Sequence, residues 1–337
     1  MRAVKSITAS LSITALVWVT GLAWFAATSA GLGALPEQPL VDSATNSPVG
    51  LVDGAGTWKN LSTTVSGDRS TASRTILEYV PPVTDPNALP VLYLLHGLPG
   101  SAAGLCTPAL GNILLSAFRA GAAPFLLACP DGNPASTDDP EWADSADGSS
   151  KLESFVTSTA ITAVEGSHLR DRGSRAIAGF SMGGFAAASI ALRHPDRYGQ
   201  VVSLAGYFHL DDPDHVFGND ASTQAAHDPT ALLPVASHFR WYLGEAANDS
   251  DELTAHDSER YAALLQGSKA PITLAVTPGG HTGSWVNQQL PAVAGFLSAG
   301  WAAAGAERTG ARPSVTDGAW TARCGGRAER LQIPCGA

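Results

Sequence analysis

The sequence predicts an α/β fold with a mostly parallel central sheet and helices on both faces. Three observations lead there. The continuous apolar run at 91–95 shows no polar alternation, which is the pattern of a strand covered on both faces. Short apolar runs alternate with longer segments of helical pattern, as parallel strands joined by crossover helices require. Glycine-rich turns follow several of the runs, at the strand carboxyl ends where such sheets place their chemistry.

In chain order, Arg2 and Lys5 precede an uncharged stretch reaching Pro36 that contains Leu11, Ile13, Leu16, Val17, Trp18, Leu22, Trp24 and Phe25. A basic start followed by an apolar run at the extreme N-terminus reads as an export segment, residues 1–36. Two outcomes stay open for it. Ala27-Thr28-Ser29-Ala30 offers small residues for cleavage, while about 20 apolar residues suffice to span a bilayer and remain as an anchor. The rest of the chain is then extracytoplasmic, secreted or held at the membrane. Residues 37–56, rich in Pro, Ser, Gly and Ala, read as a linker.

The catalytic domain is expected over 57–305. Opening strands are expected at 57–66 and 74–80, the second stopped by Pro81-Pro82. A buried strand at 91–95 is followed by a helix at 107–120, a strand at 124–129, a helix at 151–165 and a strand at 175–180. An Ala-rich helix at 182–192 stops before Pro195, as helices do. Further strands fall at 201–205, 239–243 and 272–276, with helices at 251–265 and 285–304. The tail, 306–337, is polar. Of the four cysteines none has metal-finger spacing, so an exported chain would pair them as Cys106–Cys129 and Cys324–Cys335.

The 337 residues carry a formal charge of −10 with only 15% charged residues. No Lys/Arg cluster is present, which removes nucleic acid as a partner. No metal cluster or nucleotide loop appears, so no cofactor is implied.

Chemistry concentrates in Gly179-Phe180-Ser181-Met182-Gly183-Gly184. A serine on a tight strand-to-helix turn needs neighbours without side chains two residues to either side, because a Cβ there would strike the adjoining strand or helix. With an apolar strand before it and an Ala-rich helix after it, Ser181 stands at a helix N-terminus that favours negative charge. Ser181 is the candidate nucleophile. The tetrahedral intermediate also needs two backbone N–H donors. The loop His96-Gly97-Leu98-Pro99-Gly100 follows a buried strand, and since Pro99 cannot donate, the candidates are the amides of Leu98 and Met182.

Of nine histidines, His194 precedes Pro195 at a helix end, and His227, His238 and His256 lie in polar stretches. His281 differs: it stands in Thr277-Pro278-Gly279-Gly280-His281-Thr282-Gly283, after the last strand, where an imidazole can swing over the nucleophile and exchange a proton. A carboxylate must fix its tautomer. Glu245, Asp249, Asp251 and Glu252 are available after the preceding strand. Asp249 is the candidate because it belongs to the loop, while Asp251 and Glu252 read as first-turn residues of the next helix.

On these residues the sequence resembles the esterase D and antigen 85 group of the α/β-hydrolase fold. The resemblance rests on Leu-Pro-Val-Leu-Tyr-Leu-Leu-His-Gly ending at Gly97, on Gly-Phe-Ser-Met-Gly-Gly, on Ala-Leu-Arg-His-Pro-Asp-Arg-Tyr ending at Tyr198, and on Gly-Gly-His with Trp285 shortly after. It implies a serine esterase with the triad in the order Ser181, acid, His281 and the oxyanion positions on Leu98 and Met182. The mycolyltransferase branch carries Asp-Gly-Leu-Arg in that loop and His-Ser-Trp at the histidine. This chain has His96-Gly97-Leu98-Pro99 and His281-Thr282-Gly283-Ser284-Trp285, which favours hydrolysis of a small-molecule or lipid-like ester over acyl transfer to a sugar hydroxyl. A noncatalytic binding protein on the same scaffold is disfavoured by the intact Ser181 and His281.

Overall fold

The computed structural model describes residues 49–132, 139–210, 212 and 214–309. Residues 1–36, most of 37–56 and the pair Cys324 and Cys335 lie outside the described residues.

Eight strands form one sheet: β1 (Thr57–Thr63), β2 (Arg74–Val80), β3 (Val91–Leu95), β4 (Leu126–Pro130), β5 (Arg175–Phe180), β6 (Gln200–Leu204), β7 (Arg240–Ala246) and β8 (Ile272–Thr277). Their spatial order is β1-β2-β4-β3-β5-β6-β7-β8. The pairs β1–β2 and β2–β4 are antiparallel, and every pair from β4 through to β8 is parallel. The helices are α1 (Ala102–Leu105), α2 (Pro108–Arg119), α3 (Leu152–Ser154), α4 (Ala160–Glu165), α5 (Met182–Arg193), α6 (Ala221–His227), α7 (Asp257–Gln266) and α8 (Gly283–Thr309). A π-helical turn, Phe155–Thr159, joins α3 to α4.

The period of two along each buried strand divides the core into two layers. Val91, Tyr93 and Leu95 of β3 pack with Val156 from the π-helical turn, Ala187 and Ile190 from α5 and Tyr261 from α7 on one face. Leu92 and Leu94 pack with Leu110, Leu114, Val293 and Leu297 from α2 and α8 on the other. This double burial is why the central strands read as uninterrupted apolar runs. At the start of β5, Arg175 donates to both carboxylate oxygens of Glu165, 2.6 and 2.8 Å, and Tyr93 adds its hydroxyl at 3.0 Å. These bonds tie the end of α4 to the strand that leads to Ser181.

Several boundaries differ from expectation: β1 stops at Thr63 rather than near 66, and α8 runs on to Thr309, past the expected domain end at 305. The segment just before β1 is docked rather than free: Val52 donates to Pro82, Thr84 donates to Gly50, and Leu51 bridges Val83. Helix α7 begins at Asp257, not near 251, for a local reason. Asp249 accepts the amide of Asp251, Asp251 accepts those of Leu253 and Thr254, and His256 stands at φ 62°, outside the helical region. Carboxylates that bond nearby amides compete with helix formation.

The bond Cys106–Cys129 closes a 23-residue separation between the end of α1 and β4. It fastens to the sheet the segment that follows the 96–100 loop. Among the described residues no helix is long and apolar enough to cross a membrane, and no group of three or more His, Cys, Asp or Glu could hold a metal ion.

Candidate active site

Ser181 is the residue between β5 and α5, with φ 57° and ψ −123°. A non-glycine residue in this region is strained, and such strain persists only when the surroundings over-determine it. The surroundings here do. A Cβ on Gly179 would run into the Gly183 carbonyl, and one on Gly183 would run into the carbonyl of Leu95 and lie 2.7 Å from that of His96. The amide of Ser181 donates to Leu204 at 3.0 Å. Strand, turn and helix are therefore locked on three sides, and Ser181 itself remains half-buried at the helix N-terminus.

Met182 opens α5, and the first N–H groups of a helix have no acceptor within it. The facing loop comes within contact of the elbow: a Cβ on Gly97 would lie 2.9 Å from the Ser181 Cβ and 3.0 Å from the Phe180 carbonyl oxygen. Leu98 is next in that loop, half-buried against the core. His96 holds the loop in place. Its Nε2 accepts the Gly132 amide at 3.1 Å, which leaves Nδ1–H to donate to the Gly97 carbonyl at 2.9 Å, and the Trp142 indole donates to the His96 carbonyl at 3.0 Å. Sequence reasoning assigned His96 no part, because its partners come from a segment 36 to 46 residues away.

At the other side, Asp249 Oδ2 lies 2.9 Å from His281 Nδ1. A carboxylate only accepts, so Nδ1 carries the proton and Nε2 is left as the basic atom. Thr254 donates its hydroxyl to the same Oδ2 at 2.9 Å and stands 3.2 Å from Nδ1. The Asp249 side chain is 1% exposed, the imidazole 24%. Burial works to raise the Asp249 carboxyl, but the Asp251 amide, the imidazole and the Thr254 hydroxyl together outweigh it and hold it below the usual carboxylate range. The loops are laced by Asn248, whose amide donates to Gly279 at 2.8 Å. No sequence feature marks Thr254, which reaches the pair only through the turn at 251–256.

The other carboxylates are engaged elsewhere or exposed. Glu245 is buried and accepts the amides of His256 at 2.6 Å and Ser258 at 3.1 Å, so it caps α7. Burial pushes its carboxyl up, against the pull of those two amides. Asp251 bonds its own turn, and Glu252 is exposed. The two sides of the site meet at Phe180, whose ring lies 4.7 Å from that of His281.

With the fold and this geometry in view, comparison with known proteins adds the family. The model described as "Putative esterase" matches residues 68–292, and the chain belongs to that family. It is an ester hydrolase or a related acyltransferase. No curated protein matches the sequence. Among solved structures, an S-formylglutathione hydrolase from Agrobacterium tumefaciens is similar at TM-score 0.62 and 18% identity, over 74% of this chain and 96% of the other. A ferulic acid esterase gives 0.61 and 17%, over 73% and 100%. MPT51 from Mycobacterium tuberculosis gives 0.57 and 16%, over 73% and 99%. At these identities the likeness speaks for the α/β-hydrolase fold.

Proposed function

We propose that this chain is an exported carboxylic ester hydrolase that works through an acyl-enzyme on Ser181. The observation that carries the reading is the 2.9 Å bond from His281 Nδ1 to Asp249, made by an imidazole packed on the residue next to Ser181.

The chemistry follows from the atoms. His281 Nε2 takes the proton as Ser181 Oγ attacks the ester carbonyl, and the ionised Asp249 stabilises the imidazolium. The amides of Leu98 and Met182 receive the oxyanion, assisted by the N-terminal end of α5. Collapse of the tetrahedral intermediate releases the alcohol with the proton from Nε2, and water then attacks the acyl-enzyme by the same route. Small-molecule or lipid-like esters are the substrate class. Export is supported by the basic-apolar N-terminal pattern and by the buried Cys106–Cys129 bridge.

A chain-length series of aryl esters tests the reading. Ser181→Ala should lower turnover by up to about a millionfold, and a variant as active as the parent would overturn the assignment. Trehalose or another polyol in the assay should leave the free acid as the main product. Dominant transfer at modest acceptor concentration would place the enzyme with the acyltransferases. Reporter fusions to the C-terminus test export: alkaline phosphatase should be active and a cytoplasmic reporter silent.

A further inference from the structure

The hydrogen bonds to His281 fix a point, not a plane. Asp249 and Thr254 both approach the same atom, Nδ1, at 2.9 and 3.2 Å. A ring held at one atom can still rock about that contact and swing Nε2 away from its target. Its loop neighbours give little steric help, since residues 279, 280 and 283 are glycines. What bounds the imidazole on its face is Phe180, with ring centroids 4.7 Å apart and planes inclined by 36°.

Phe180 is itself firmly held. It ends β5 in register with Leu204 of β6, and its side chain packs against the α2–α8 core layer. Its Cδ1 lies 3.5 Å from where a Cβ on Gly97 would stand, and the Ser181 Cβ lies 2.9 Å from the same point. The Phe180 ring and the Ser181 side chain therefore border one spot, on either side of a single peptide bond whose direction is tied to the positive φ of Ser181.

Resting on the Ser181–His281 reading above, we propose that Phe180 is a positioning residue: its ring fixes the plane of the His281 imidazole, so that nucleophile and base are held in register through one peptide bond. The ring has a second effect. An aromatic face is electron-rich and favours the imidazolium that forms as Ser181 loses its proton. Asp249 is the charged group bonded to the imidazole among the described residues, and it acts at the ring edge, so the two influences are separable.

A simple apolar filler would look the same in a static structure but respond differently to substitution. Leucine fills much of the space without offering a ring face, whereas tyrosine keeps the face. The test is kcat and KM on a short aryl ester across pH for the parent, Phe180→Leu and Phe180→Tyr, each checked for a cooperative thermal transition. Because a misplacement of about 1 Å can lower rates about a hundredfold, Phe180→Leu should lose about 10- to 100-fold in kcat with KM within about twofold, and Phe180→Tyr should stay within about threefold of the parent. Loss of the aromatic face destabilises the charged imidazole, so the acid limb of kcat/KM should move to lower pH by about half a unit in Phe180→Leu. In an Asp249→Asn background the Phe180→Leu loss should shrink, since both changes act through one imidazole.

Equal behaviour of the leucine and tyrosine variants, or a leucine variant with parental kcat and pH profile, would overturn the proposal. If Phe180→Leu does not fold, Phe180→Met serves with the same expectations. Ser181→Ala in the same assay separates the two levels. If it is inert while Phe180→Leu matches the parent, only the positioning role falls, and if it is fully active the underlying reading falls.

Discussion

Helix α5 has a carboxylate–imidazole pair near each end. At its N-terminal end Asp249 accepts from His281 at 2.9 Å, and at its C-terminal end Glu153 lies 2.6 Å from His194 Nε2. The shorter contact is at the end that offers no serine turn. Glu153 also accepts from Arg193 at 2.9 Å, with His227 Nε2 3.6 Å from its other oxygen, and the cluster borders a cavity of about 250 Å³. Glu153 is thus a hub that ties α3, α5 and α6 together. His281 instead has one edge fixed, Nε2 left over, and a strained serine turn beside it. A short bond, a buried acid and a cavity occur at the end that looks structural, so those features alone do not define a site. What separates the two ends is the free basic nitrogen, the helix N-terminus and the loops at the strand carboxyl ends.

The comparison can be broken by substitution. His281→Ala should lower ester turnover by up to about a millionfold in a folded protein, measured by initial rates and circular dichroism. Asp249→Asn keeps the shape but presents the wrong tautomer, and should lower turnover by about ten-thousandfold. At the far end the signature reverses. Glu153→Gln should leave kcat per folded molecule unchanged while costing roughly 3 kcal/mol in urea unfolding, the lower end for a broken buried pair because its cationic partners are partly solvated.

The same hub should shape acid stability. Burial works to raise the Glu153 carboxyl, but the hydrogen bond from His194, the adjacent His227 imidazole and the Arg193 charge hold it far below its ordinary value of 4.5. A group whose folded-state value is depressed stabilises fully above its unfolded value and loses that contribution as pH falls toward the folded one. The parent's unfolding free energy should therefore decline below about pH 4.5, and Glu153→Gln should show a shallower slope in that range. The smallest effect is expected at Asp251→Asn, with turnover near the parent and a loss of a few tenths of a kcal/mol from its turn.

Much of this was legible in the sequence where the cause is local. The central strands announced themselves because both faces are buried, and Gly179 and Gly183 because a Cβ at either would strike backbone. Asp249 could be singled out as the loop carboxylate, although the helix after it starts later than acidic residues at 251 and 252 suggest. The same composition serves a helix N-terminus or a carboxylate-bonded turn, and only the left-handed His256 settles it as a turn. Long-range convergence was not legible. His194 and His227 read as a helix end and a polar stretch, yet meet on Glu153 from 41 and 74 residues away. Thr254 and His96 reach the site through bonds with no local pattern. The docked segment before β1 read as linker because its composition suits one, while its backbone pairs with residues 82–84.

The most direct measurement of the central claim is stoichiometric labelling with a fluorophosphonate, followed in parallel by residual ester turnover and by mass mapping of the labelled peptide. The account predicts one adduct per chain, carried by Ser181, with activity falling in step with labelling and no adduct on Ser181→Ala. An adduct on another residue that removes activity, or full labelling of Ser181 with turnover intact, would contradict it.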